Sequence, residues 1–234
     1  EIYECDNHLE QNQEDKYNHL LLIAATTDGL HNLYKIVSEG YVHGFYRKPR
    51  VSIKWIKDNN LGDGIICLTA CQAGRISRCL ESGSYDEAEK FISLLKNTFY
   101  YTVLEIQSHP TEQQFKCNSL ILDFANKIGM NYCITSDAHM EKADQLDTHS
   151  IFVSISQDRD TGESYIGCHL QNDEDVFNYL GQWASKDVIQ KGIDETVRIA
   201  NMIDENIDYE MNKGTVMPHA HIPEGYDIES YFRY

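Results

Sequence analysis

Asp137 and His139 lie two residues apart in Thr135-Ser136-Asp137-Ala138-His139. A carboxylate and an imidazole at that spacing can hold a divalent metal. The apolar run Tyr132-Cys133-Ile134 precedes them, which reads as a buried strand ending in a loop. On an extended backbone, residues two apart point the same way, so both side chains are expected to face one point. A capping Asp beside a surface His would spell the same letters, so the pair gains weight only from the rest of the chain.

Two further donors stand near predicted strand ends. His19 precedes the run Leu20 to Ala25, and Cys71 follows the run Gly64 to Thr69. Glu1 is a fifth donor if it ends a first strand. Thiolate and imidazole suit zinc, and added carboxylates also admit manganese or iron. The plain alternatives are a strand-edge cap for His19 and a small buried residue for Cys71. His219 and His221 form a second His-x-His between Pro218 and Pro223, in a polar stretch that reads as surface. His149 is expected to contact its neighbours rather than a metal. Arg47, Lys48 and Arg50 make the one dense basic patch, read as an exposed loop. Gly62-Asp63-Gly64 precedes a strand and is a turn, so no glycine-rich phosphate loop is present.

These donors need a sheet to position them. Apolar runs predict strands near 20–25, 64–69, 102–107 and 130–135, with a fifth over Glu1 to Cys5. The run from His19 to Ala25 suggests a strand buried on both faces. Helices are expected after a cap at Thr27 or Asp28, with Leu30, Leu33, Tyr34 and Val37 on one face. Others are expected from Ser52 to about residue 60, Ser84 to 98, Thr111 to 128 and 144 to 155. A short helix is expected at 173–181 and a longer one at 185–204. Residues 40–51 read as loop. Repeated strand–helix units predict a parallel sheet, with ligand chemistry at the carboxyl ends of its strands. His19 departs from that rule because it precedes its strand.

The 234 residues allow one large domain or two small ones. A formal charge of −17 argues against a broad nucleic-acid surface, though not against a local site where metal supplies positive charge. The seven cysteines are scattered without a C-x-x-C pair, which excludes a zinc ribbon and suits reduced thiols in the cytoplasm. No apolar run reaches membrane-spanning length.

Several stretches resemble the bacterial replicative DNA polymerase III alpha subunit in order and spacing. They are H-L-L-L-I-A-A-T-T-D-G-L-H-N-L-Y-K-I-V-S (19–38), G-F-Y-R-K-P-R-V (44–51), G-I-I-C-L-T-A-C-Q-A-G (64–74), L-E-I-Q-S-H (104–109), T-S-D-A-H (135–139) and I-P-E-G-Y-D-I-E-S-Y (222–231). The region matched is the PHP (polymerase and histidinol phosphatase) domain. The resemblance implies an α/β fold: a distorted parallel (β/α) barrel, here lacking its first strands, with a helical linker tail. It implies a PHP domain over 1–156, and the end of that domain plus a linker toward the polymerase palm over 157–234.

The resemblance also implies a metal cluster, to which Glu1, His19, Cys71, Asp137 and His139 are carried over as ligands. Zinc or manganese is the expected metal, and 3′-5′ exonuclease proofreading the expected activity. DNA, a sliding clamp and a proofreading subunit are the expected partners, with no membrane. A non-catalytic scaffold for the polymerase is the alternative. The family's first metal motif is expected upstream of Glu1, so this chain by itself is expected to bind metal weakly. Arg75 and Met140 stand where the family usually has Glu and Tyr, and the family's Thr-Gly-Lys segment is not recognisable at 157–162.

Overall fold

The computed structural model describes residues 1–11, 17–157, 165–208 and 221–233. Its elements begin with β1 (Ile2–Glu4), β2 (Asn18–Ala24) and α1 (Thr27–Val42). A hairpin of β3 (Phe45–Tyr46) and β4 (Lys48–Val51) follows, then α2 (Ile53–Asp58), β5 (Ile65–Leu68), α3 (Arg75–Glu81) and α4 (Tyr85–Lys96). Next come β6 (Tyr101–Gln107), α5 (Glu112–Ile128) and β7 (Tyr132–Thr135). The helices α6 (Leu146–Gln157), α7 (Asp173–Leu180), α8 (Lys186–Ala200) and α9 (Ile228–Phe232) complete the order. The fold is α/β, as expected. Ser52 and Thr111 cap α2 and α5 by accepting from the backbone N–H of Trp55 and Gln114, and Gly129 ends α5 at φ 66°.

Seven strands form one sheet in the order β3-β4-β1-β2-β5-β6-β7. The expected parallel pairing holds for β5–β6 and β6–β7, and β1 also runs parallel to β4, a strand that was not expected. That pairing fails for β2, which runs antiparallel to both β1 and β5. The described residues between β1 and β2 contain no crossover helix, and such a connection joins antiparallel neighbours. The reversal places the start of β2 at the same sheet edge as the ends of β5, β6 and β7. His19 therefore reaches the carboxyl-end edge because its strand points the other way, and its N–H donates to Ala73 O at 3.1 Å.

The two sheet faces differ. One carries Leu20, Leu22, Ile65, Leu104 and Ile106, part of the large core beneath α3, α4 and α5. The opposite face carries Leu21, Ile23, Ile66, Leu68, Val103 and Cys133, covered by Ile199 and Met202 at the end of α8. By register and alternation, His19 and Glu105 belong to this second face. The strand β2 is thus fully buried on one side and half-buried on the other, rather than buried on both.

Three other expectations change. Helix α1 is capped by Thr26, and it buries Gly29, Ile36 and Gly40 while Tyr34 and Val37 are exposed. Its glycines permit the close approach: a Cβ on Gly29 would stand 2.0 Å from Gly64 O. The basic loop is a hairpin in which Arg47 and Lys48 are exposed and Arg50 is fully buried. The Arg50 guanidinium donates to the carbonyls of Gly44, His8 and Glu10, so it is a structural strut. Residues 75–81, for which no helix was expected, form α3.

Candidate metal centre

At the carboxyl-end edge, β1 and β2 bring Glu1 and His19 to one face. Tyr3 pairs with His19 across the ladder, so Glu1 is the diagonal neighbour of His19 on that face. The Glu1 Oε2 lies 3.2 Å from His19 Nδ1. The Cys71 Sγ, from the loop after β5, lies 3.7 Å from the same nitrogen. These are an ion-pair distance and a weak hydrogen-bond distance to one nitrogen. Hydrogen bonding to Cys71 and to Glu1 raises the His19 pKa to about 9, against the opposing effect of burial. The same contact with His19 lowers the Glu1 pKa.

Asp137 and His139 are arranged otherwise than their spacing suggested. The strand β7 ends at Thr135, and Asp137 adopts φ 45°, so the backbone there is not extended. The His139 Nδ1 turns back to Asp137 O at 2.6 Å and stands 4.0 Å from Asp137 Oδ1. The His139 ring packs near His149 and Tyr165, with centroids 5.9 and 5.1 Å away. His149 thus contacts its neighbours, as expected. His139 adds weakly to the lowering of the Glu1 pKa. Glu1 and Cys71 both contact His19, and Asp137 and His139 form a separate pair beyond β7. Among the described residues no group of three or more His, Cys, Asp or Glu stands ready to hold an ion.

Sequence reasoning missed several residues that set this edge. Glu105 in β6 is buried, and its Oε1 accepts from Thr135 Oγ1 at 2.7 Å. Its backbone N–H donates to Thr69 Oγ1 at 3.0 Å, while Oε2 is sealed from solvent with no hydrogen-bond partner. Leaving such an oxygen unpaired costs about 1–3 kcal/mol. Burial pushes the Glu105 pKa up, the Thr135 hydroxyl pulls against that, and the charge of Asp137 adds to the rise. His109, also buried, supports the D-x-H loop through Nε2 at 2.9 Å from Ser136 O. Burial lowers its pKa. A Glu interrupting an apolar strand was the one sequence signal for Glu105. Arg75 pairs with buried Glu4 at 2.7 Å and with Asp6 at 2.6 Å. That arrangement spends its charge on the protein itself.

His221 is exposed, and His219 lies outside the described residues, as do 158–162 of the divergent segment. Cys67, Cys71, Cys79, Cys117, Cys133 and Cys168 are free thiols, and no described helix is long and apolar enough to cross a membrane.

An α/β sheet with this edge defines the class, and the family model of the PHP domain matches residues 2–109. The chain is thus similar to PHP domains over residues 2–109 and to DNA polymerase III alpha subunits over most of its length. It is 26% identical to the alpha subunit of Aquifex aeolicus over 96% of this chain and 20% of that protein. It is 27% identical to that of Thermus aquaticus over 93% of this chain and 18% of the relative. A DNA-directed DNA polymerase of Bacillus phage SPbeta is 24% identical over 89% of this chain and 17% of its own length. The chain thus spans about one fifth of the length of these relatives.

Proposed function

We propose that this chain is the PHP region of a replicative DNA polymerase and contributes metal-dependent phosphodiester hydrolysis at a DNA 3′ end. The convergence of Glu1 and Cys71 on His19 Nδ1 carries this reading. Glu1, His19 and Cys71 would hold one ion, with Asp137 and His139 completing the shell after their loop turns inward. Zinc or manganese suits that donor set. A bound divalent ion neutralises the scissile phosphate and supplies a water nucleophile at neutral pH. The chain's own residues position the donors: the β1–β2 ladder fixes Glu1 against His19, and Thr69 and Glu105 brace the strand ends beneath. Residues 1–156 form the body of the PHP domain. Residues 157–234 close it through α8, which packs on β7, and then lead toward a palm. The parent polymerase would act in the cytoplasm on DNA, with a sliding clamp and a proofreading subunit as partners.

The scaffold reading has one observation in its favour. Arg75 stands where the resembling family usually has Glu, and it neutralises Glu4 and Asp6 rather than adding a ligand. Metal content after reconstitution with zinc or manganese, followed by hydrolysis of a 5′-labelled oligonucleotide, separates the two. The hydrolase reading expects weak metal uptake and slow 3′ shortening, both removed by His19→Ala. Metal-free chain, or shortening that survives His19→Ala, sinks it in favour of the scaffold.

A further inference from the structure

Glu105 is the one buried carboxylate placed between the two loops of the candidate site. It lies in the middle of β6 opposite Cys133 of β7, on the same sheet face as His19. Its two measured contacts reach in opposite directions. The N–H donates to Thr69, two residues before Cys71, and Oε1 accepts from Thr135, two residues before Asp137. Each loop then enters the left-handed region at a residue other than glycine, with Ala70 at φ 60° and Asp137 at φ 45°. Such conformations cost energy and persist where the surroundings over-determine them. Glu105 is the residue bonded to both strand ends immediately before those turns.

A purely structural position here would be better served by an apolar side chain, because the carboxyl is buried and has only the Thr135 hydroxyl, the Gln107 side chain and the Ala70 backbone to offset its desolvation. The Thr135 hydroxyl needs only an acceptor, and a carboxylate is an expensive way to supply one. A group retained at that cost beside a candidate site is more readily explained by the site than by the core.

We propose that Glu105 is a positioning residue: it ties Thr135, and with it the left-handed turn at Asp137, to the strand end that presents Cys71. The two donor loops are thereby set as one unit. The inference rests on the metal-centre reading for its purpose, but its mechanical content is independent of metal.

Amide hydrogen exchange on the metal-free chain is the primary test, followed by cobalt(II) titration. Glu105→Ala should speed exchange across 136–140 by about tenfold or more, leaving β2, α5 and the Thr69 contact, which the backbone N–H makes, near their original protection. Glu105→Gln keeps an acceptor for Thr135 and should restore the 136–140 loop. Thr135→Val, nearly isosteric, should reproduce the effect at 136–140, and Thr135→Ser should rescue it. Cobalt affinity should fall by about 10–100-fold in Glu105→Ala and Thr135→Val and recover in the rescuing variants. Unchanged loop exchange in Thr135→Val overturns the proposal, as does a Glu105→Gln variant as loose as Glu105→Ala. If Glu105→Ala fails to fold, the threonine pair decides alone. A wild-type chain that takes up no cobalt, zinc or manganese counts against the metal reading, whereas loosened loops in that same chain still support the positioning role.

Discussion

The two halves of the candidate site are held by different means. His19 stands in β2, with Glu1 just before β1 and Cys71 on the loop after β5, and their side chains meet at 3.2 and 3.7 Å. Asp137 and His139 lie beyond the end of β7 on a loop held by its own contacts. His139 N–H donates to Cys168 O, Ser108 N–H donates to Thr135 O, and the His139 ring is turned to Asp137 O. The first three side chains meet around an imidazole seated in a strand, whereas Asp137 and His139 contact each other on a loop. On the proposed reading, the first group would be the nucleus of the site and the second its adjustable closure.

That contrast can be broken by substitution. His19→Ala should weaken cobalt or zinc binding by about 100-fold or more, and Asp137→Ala by about tenfold, as measured by titration of each variant. A larger loss from Asp137→Ala would reverse the order of the two halves. Next in size is Gly192→Ala on α8. Its Cβ would stand 2.5 Å from Ile134 Cγ1 in β7. Overpacking there should cost about 1–3 kcal/mol in urea unfolding and loosen exchange in β7 and its loop more than in β1 and β2. Equal loosening of both regions would show that α8 does not act selectively on the closing half.

Smaller effects sharpen the comparison. The Ser108 hydroxyl lies within hydrogen-bond distance of both Thr135 O and Gln171 Oε1, tying the loop's root to residue 171. Ser108→Ala should cost about 1 kcal/mol and raise exchange at 136–140 while leaving His19 contacts intact. The least effect is the pH dependence of the nucleus. The His19 pKa, near 9 in the folded chain, lies above its ordinary value of 6.5. Its contribution to stability is therefore full below about pH 6.5 and is lost as pH rises through about 9. Partial exposure of His19 and Glu1 keeps this small. Urea midpoints of the metal-free chain should fall from about pH 6 to about pH 9.5 by more than those of His19→Gln. Parallel curves for the two proteins would remove the His19 contact from the balance.

Local chemistry determined much of this protein from sequence alone. The apolar runs specified the four long strands, Ser52 and Thr111 announced their helices, and Gly129 stopped one, because caps and buried runs depend on neighbours within a few residues. The donor types Glu1, His19, Cys71, Asp137 and His139 were equally legible. Only tertiary structure decided where they point. The direction of β2 is a matter of which strands lie beside it, and the letters His19 to Ala25 read the same either way. The exposed stripe of α1 was misjudged because glycines, silent in apolar periodicity, set the side that packs. Arg50 looked like surface charge, but the carbonyls of distant His8 and Glu10, with that of nearby Gly44, surround it. Glu105 drew no notice in an apolar strand, since its meaning comes from Thr69 and Thr135, which are its neighbours in the sheet and not in the chain.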